Sequence, residues 1–194
     1  FRGDSRSGKL EILAKGLRTP NGIGVSTEGQ IWVTDNQGDW LPASKLVNVV
    51  GGEHFGFGGA ERVKAPALWL PQNEIGNSPT QPLVLGRGPY KGQLLFGDIY
   101  NGGIKRAYLE KVAGEWQGAA FHFSDGLAAP VNRLMETEEG LLAGQIGSSG
   151  NWGEADKPWF GLQLLRWSEN TAFEPLTVNA TPHGFKATFS KPLH

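Results

Sequence analysis

The residues best placed to do chemistry stand together at Asp35-Asn36-Gln37-Gly38-Asp39-Trp40, a run of carboxylates and amides ending in an indole. They follow Ile31-Trp32-Val33 directly, and three consecutive apolar residues suit a strand buried on both faces. A buried strand that opens into carboxylates and amides presents polar groups at one end of a rigid scaffold, where a binding site naturally sits. Asp98 ends a similar run, Gly92-Gln93-Leu94-Leu95-Phe96-Gly97, and is expected on the same face as Asp35. Asn151-Trp152, in the polar loop Ser148–Gly153, pairs an amide with an aromatic ring suited to stacking on a sugar.

Other chemistries find less support. His54 and His183 lie in turns, His122 alternates on a strand, and His194 is in the tail. None stands at zinc-ligand spacing from another, and His54 reads as a turn histidine satisfied by a backbone carbonyl. The chain has no cysteine, which removes disulfides, thiolate metal sites and thiol nucleophiles from this segment and is compatible with secretion. Arg2-Gly3-Asp4 spells an adhesion tripeptide, too short a match to carry function. A net charge of −1 without a basic run argues against nucleic acid or a membrane surface as partner. No apolar run is long enough for a transmembrane helix.

The elements that must hold these groups are strands. Twenty-nine glycines, 12 prolines and seven tryptophans in 194 residues favour an all-β, turn-rich protein. Gly29–Asp35 is echoed by Gly92–Asp98 and more weakly by Gly140–Gln145, and Asn21 precedes Gly29 by the same eight positions as Asn132 precedes Gly140. Blades of a β-propeller, about 40–50 residues each and stretched once by an insertion, account for this spacing. Three blades are expected. The first holds strands at 23–25, 30–34 and 46–50, and the second strands at 83–85, 93–98, 103–109 and 119–123. The third holds strands at 132–135, 141–146 and 162–167. Gly59–Pro82 reads as the insertion, a loop across one propeller face with Trp69 and Leu70 as an apolar plug. Gly114–Gly118 reads as a turn, with Trp116 packed between blades and Gln117 directed at the channel.

The order of motifs resembles the quinoprotein glucose/sorbosone dehydrogenase family of six-bladed propellers. It does so at Arg18-Thr19-Pro20-Asn21-Gly22, Thr34–Trp40, Lys45-Leu46 and Gly52–Gly56. The runs NQGDW, LWLPQNEIGNSP, GPYKGQLLFGD, LEKVAGEWQGA, NRL and GNW…GLQLLRW resemble its bacterial subgroup of membrane-bound dehydrogenase domains, over residues 9–176. The resemblance implies pyrroloquinoline quinone contacted by Arg18, Asn21, Asp35, Asn36 and Gln37, and calcium bound through Asp35, Gln37 and Gly38. It places substrate near Asp39, Trp40, Asn151 and Trp152, and gives Arg18 a charge-stabilising catalytic role. The histidine base of that family precedes Phe1. The sequence departs from the pattern at Thr19, where the family has asparagine, and at Gln37-Gly38, where it has Gly-Pro. From the residues alone, Asp35 and Asn36 equally suit an Asx-turn role holding the blade end.

Residues 1–176 are therefore expected to form a partial propeller, and 177–194 the opening hairpin of an immunoglobulin-like β-module joined at Pro182-His183-Gly184. Three blades leave sheet faces uncovered, so the chain is expected to be part of a larger one supplying the remaining blades. The resemblance implies a secreted or periplasmic sugar or alcohol dehydrogenase passing electrons to a cytochrome c domain or protein. A propeller that binds carbohydrate or protein without catalysis is the alternative, and a calcium-dependent lactonase-type hydrolase a third.

Overall fold

A computed structural model of the chain describes residues 1–147, 156, 158–170 and 172–193, with Asp39 described by its backbone alone. Asn151, Trp152 and His194 lie outside the described residues. The chain opens with a small hairpin, β1 (Arg2–Gly3) and β2 (Leu10–Glu11), and then β3 (Ala14–Lys15). The first sheet holds β4 (Thr19–Val25), β5 (Ile31–Asn36) and β6 (Ala43–Asn48), with a 3₁₀ turn at Gly38–Trp40. β7 (Glu53–His54) pairs in parallel with β3, and β8 (Leu68–Pro71) completes the first sheet beside β6. The second sheet is β9 (Leu83–Val84), β10 (Leu94–Gly97), β11 (Ile104–Val112) and β12 (Glu115–Ser124). The third is β13 (Val131–Glu136), β14 (Leu141–Ile146) and β15 (Phe160–Leu165), and a hairpin of β16 (Pro175–Thr181) and β17 (Gly184–Phe189) follows. No α-helix occurs among the described residues.

Each sheet is an antiparallel meander in chain order, and the three stack face to face. The second sheet is the filling. Leu94 and Phe96 pack with Trp32, Leu46 and Leu70 of the first sheet, while Leu95 and Ile104 pack with Val131, Leu134 and Leu141 of the third. Alternate side chains of β10 thus enter two cores, which explains its unbroken apolar sequence. Polar bonds stitch the same stack: Thr34 Oγ1 donates to the Thr80 carbonyl (2.7 Å), and Thr80 Oγ1 donates to that of Val131 (3.1 Å).

Two expectations are corrected. Gly59–Pro82 is not a loop over a face, because Leu68–Pro71 forms the outermost strand of the first sheet with Leu70 fully buried. Gly114–Gly118 is not a five-residue turn: the reversal takes only Ala113-Gly114, and β12 already runs from Glu115. Trp116 does pack between sheets, edge-on to Trp32 with centroids 5.3 Å apart. Gln117 sits on the outermost strand of its sheet, bonded to Glu110, and so faces away from the inner edge.

The C-terminal hairpin turns at Pro182-His183 and docks on the second sheet. The fully buried Arg106 guanidinium donates to the Pro175 carbonyl (2.6 Å), the Leu176 carbonyl (3.2 Å) and the Glu174 carboxylate (3.1 Å). Glu110 accepts from Asn179 Nδ2 (2.8 Å) and the Ala180 N–H (2.7 Å). The Tyr90 hydroxyl donates to Glu174, and burial, then that bond and the carboxylate charge, push its pKa up to about 12. A folded-state pKa above the unfolded value means stability that is complete below pH ~10 and is lost as pH rises toward 12. Ultraviolet titration of the three tyrosines should therefore show one phenol ionising late, together with loss of structure. An ordinary titration of all three would contradict the burial of Tyr90.

Candidate functional site

The ends of β5 and β10 lie on one rim, as expected. Asn36 Nδ2 donates to Ser78 Oγ (3.1 Å), and the Ser78 N–H in turn donates to Asp98 (3.1 Å). The two carboxylates have the same local frame: Asp35 pairs in register with Pro20, and Asp98 with Pro79. Each also accepts backbone N–H groups at or before the start of the first strand of its sheet. For Asp35 these are Arg18 (3.0 Å) and Thr19 (2.8 Å), joined by Gln37 Nε2. For Asp98 they are Asn77 (2.7 Å) and Ser78, joined by Tyr100 (2.8 Å) and Asn101 (2.9 Å). Both residues are fully buried.

Burial raises the pKa of Asp35, and the N–H donors and the Lys45 charge act against that rise. Lys45 is the cross-strand partner of Asp35 and is 1% exposed. Burial lowers its pKa, opposed by the Asp35 charge. Its ammonium donates to the Phe55 carbonyl and lies 5.6 and 5.5 Å from the ring centroids of Trp40 and Trp69.

The loop after Asp35 is closed on itself. Asn36 Oδ1 accepts the Gly38 N–H (2.7 Å) in an Asx turn, and the Gln37 carbonyl accepts the Trp40 N–H (3.2 Å). The Gly38 carbonyl accepts Gln72 Nε2 (3.0 Å). Gly38 is favoured here by its backbone. Its φ is +54°, and a Cβ would stand 2.6 Å from the Arg18 guanidinium, which lies across it. That guanidinium is exposed and bonds Thr19 Oγ1 (3.2 Å). Trp40 is half exposed, edge-on to Phe57.

A second group forms where β4, β9 and β13 line one edge of the stack. Asn21 Nδ2 donates to Asn132 Oδ1 (3.2 Å), and Arg133 Nη1 donates to Asn21 Oδ1 (3.3 Å) and Asn132 Oδ1 (2.7 Å). The second sheet lies between their sheets, so these side chains meet around its inner edge. Asn21, Gln81 and Arg133 border a cavity of about 620 Å³ floored by Leu17, Ile23 and Val33.

The structure thus brings Arg18, Asp35, Asn36, Gln37 and Gly38 together and places Asn21 with Asn132 and Arg133. His54 is engaged by a backbone amide rather than a carbonyl, its Nδ1 accepting the Gly56 N–H (3.1 Å). Asn132, Arg133 and Lys45 lie in motifs the sequence shows, but were not expected in the site. For the first the signal existed: Asn21 and Asn132 share an offset of eight from their glycines, and the matched positions meet.

No family model matches the chain, and no curated protein does. Solved structures do. An aldose sugar dehydrogenase from Streptomyces coelicolor in its PQQ-bound form aligns with 84% of this chain and 48% of its own, at 12% identity and TM-score 0.55. The soluble aldose sugar dehydrogenase of Escherichia coli, in the apo form, aligns with 83% of this chain and 49% of its own, at 10% identity and TM-score 0.55. A Thermus thermophilus protein described as an oxidoreductase (glucose dehydrogenase) aligns with 73% and 42%, at 20% identity and TM-score 0.51. The chain shares the β-propeller fold of these dehydrogenases. It spans about half of their length. No helix among the described residues is long and apolar enough to cross a membrane.

Proposed function

We propose that this chain is part of a sugar- or alcohol-oxidising propeller that holds an anionic, planar quinone such as pyrroloquinoline quinone on its inner edge. The observation that carries the reading is the meeting of Asn21, Asn132 and Arg133 around that edge, on a fold shared with a quinone-bound sugar dehydrogenase. Arg133 and Arg18 are exposed guanidiniums with no carboxylate partner among the described residues, and planar forks suit carboxylates. The amides of Asn21 and Asn132 offer both donors and acceptors to ring substituents. When bound, such a quinone supplies a hydride acceptor for a carbinol carbon. Arg133 and Arg18 would bind and orient it.

Calcium does not fit the residues expected to hold it. Asp35 accepts three N–H groups, and the Gln37 and Gly38 carbonyls each accept one. Exposed apolar side chains on two outer faces, Ile23 and Val25 on the first sheet and Phe160 and Leu162 on the third, suit cover by further blades. A location outside the cytoplasm and a cytochrome as electron acceptor complete the proposal.

A non-catalytic carbohydrate- or protein-binding propeller is the second reading. It is favoured by one fact: no described histidine stands on the inner edge, since His54 is in the β7 segment, His122 on β12 and His183 in the hairpin turn. Titrating the chain with the quinone distinguishes the two by tryptophan quenching and a shifted quinone absorbance. Arg133→Ala should weaken binding about tenfold, the loss of one charge-assisted contact. No quenching and no spectral shift would leave the second reading in place.

A further inference from the structure

We propose that the Lys45 ammonium is the resident cation of the β5 strand end, and that this end takes no divalent ion. The inference concerns the charge balance of the rim and stands whether or not a quinone binds. Asp35 is a fully buried carboxylate, and a buried anion needs both hydrogen bonds and a compensating charge. The hydrogen bonds come from Arg18, Thr19 and Gln37. The charge comes from Lys45, which faces Asp35 in the register between β5 and β6.

Lys45 is itself held as a cation would be. Its ammonium bonds one carbonyl oxygen, that of Phe55, and lies against the faces of Trp40 and Trp69. Trp69 is its cross-strand partner on β8, so Asp35, Lys45 and Trp69 form one row across a single face of the sheet.

The oxygens around Asp35 are otherwise used. Asn36 Oδ1 and the Gln37 and Gly38 carbonyls each accept an N–H. Gln37 Oε1 is the buried oxygen of this loop without a partner among the described residues. These oxygens are few for calcium, which takes roughly six to eight, most of them already carry a donor, and the carboxylate among them faces an ammonium. A neighbouring ammonium would also repel a divalent ion.

The test is the melting temperature of the chain with a chelator and with about 1 mM calcium or magnesium. A site of about 10 µM affinity would raise it by roughly 5–10 °C. The expected result is no shift, with no bound calcium in equilibrium dialysis. A calcium-dependent rise that Asp35→Asn abolishes would overturn the proposal. A double-mutant cycle tests the pairing itself. Lys45→Met should lower the melting temperature, and should lower it less in an Asp35→Asn background. Equal losses in both backgrounds would show that Lys45 does not serve Asp35. Should Lys45→Met fail to fold, the single Asp35→Asn protein and the calcium arms still decide.

Discussion

Replacing Arg106 with methionine is expected to destabilise the protein by about 3–5 kcal/mol and to release the C-terminal hairpin, the size typical of breaking a buried ion pair from one side. The guanidinium is fully buried in the second sheet, with the rings of Tyr90 and Phe121 at 4.8 and 4.6 Å. Its donors satisfy Glu174, the carbonyls of Pro175 and Leu176, and the side chain of Gln93. Methionine keeps much of the volume, but it removes a donor from the Glu174 carboxylate, which keeps Tyr90, from the Leu176 carbonyl, which keeps Gln93, and from the Pro175 carbonyl. Urea unfolding gives the loss, and amide exchange or limited proteolysis over 175–189 shows whether the hairpin is freed. A loss below about 1 kcal/mol would place the anchoring of the hairpin elsewhere. Glu110→Gln is the comparison. It touches the same hairpin from a half-buried position and should cost less.

Arg106 also shows what the sequence concealed. In Ile104-Lys105-Arg106-Ala107 two adjacent cations point to opposite faces of the strand, yet both are buried. Their burial depends on carbonyls supplied from Gly102 and from residues about 70 positions later, which no local pattern reveals. Lys45 escaped notice for the same reason. The continuous apolar runs of β5 and β10 were legible because a sheet buried on both faces needs every residue apolar. The common rim of Asp35 and Asp98 was legible because both end the same repeat. The outermost strands were not. Leu68–Pro71 is short and bracketed by prolines, which an edge strand tolerates and a sequence reader takes for a loop. Gly118 looked like the end of a turn, but it lies within β12, where a Cβ would meet the Tyr108 carbonyl at 1.9 Å.

At the candidate site, the residue types were legible and the division of labour was not. Carboxylates at a strand end suggest a binding cluster, and here they are turned inward to hold the frame. Backbone N–H groups at the entry to each sheet need acceptors, and a buried carboxylate at the end of the next strand supplies two oxygens to several of them. Under the proposed function, ligand contact would fall to the neighbours that the frame positions: Arg18 above Gly38, and Asn21 against Asn132 and Arg133.

Asp98→Ala puts this division to the test. Four backbone N–H groups, those of Asn77, Ser78, Tyr100 and Asn101, lose the buried carboxylate they share, with Ser78 itself buried and Tyr100 and Asn101 at the exposed end of the turn. Each such loss costs about 1–3 kcal/mol, and for donors sharing one acceptor about 3–5 kcal/mol in total is expected. Asp98→Asn should fare little better, because its amide NH₂ would face donors rather than acceptors. Amide exchange at 77–78 and 100–101 should quicken first, ahead of the core strands. The effect should also reach the neighbouring sheet, since Ser78 is bonded to Asn36, whose side chain closes the turn at Gly38 under Arg18. A stable Asp98→Ala protein with unchanged exchange at these four amides would mean that the carboxylate is held by something other than this frame, and would return it to the groups available to a ligand.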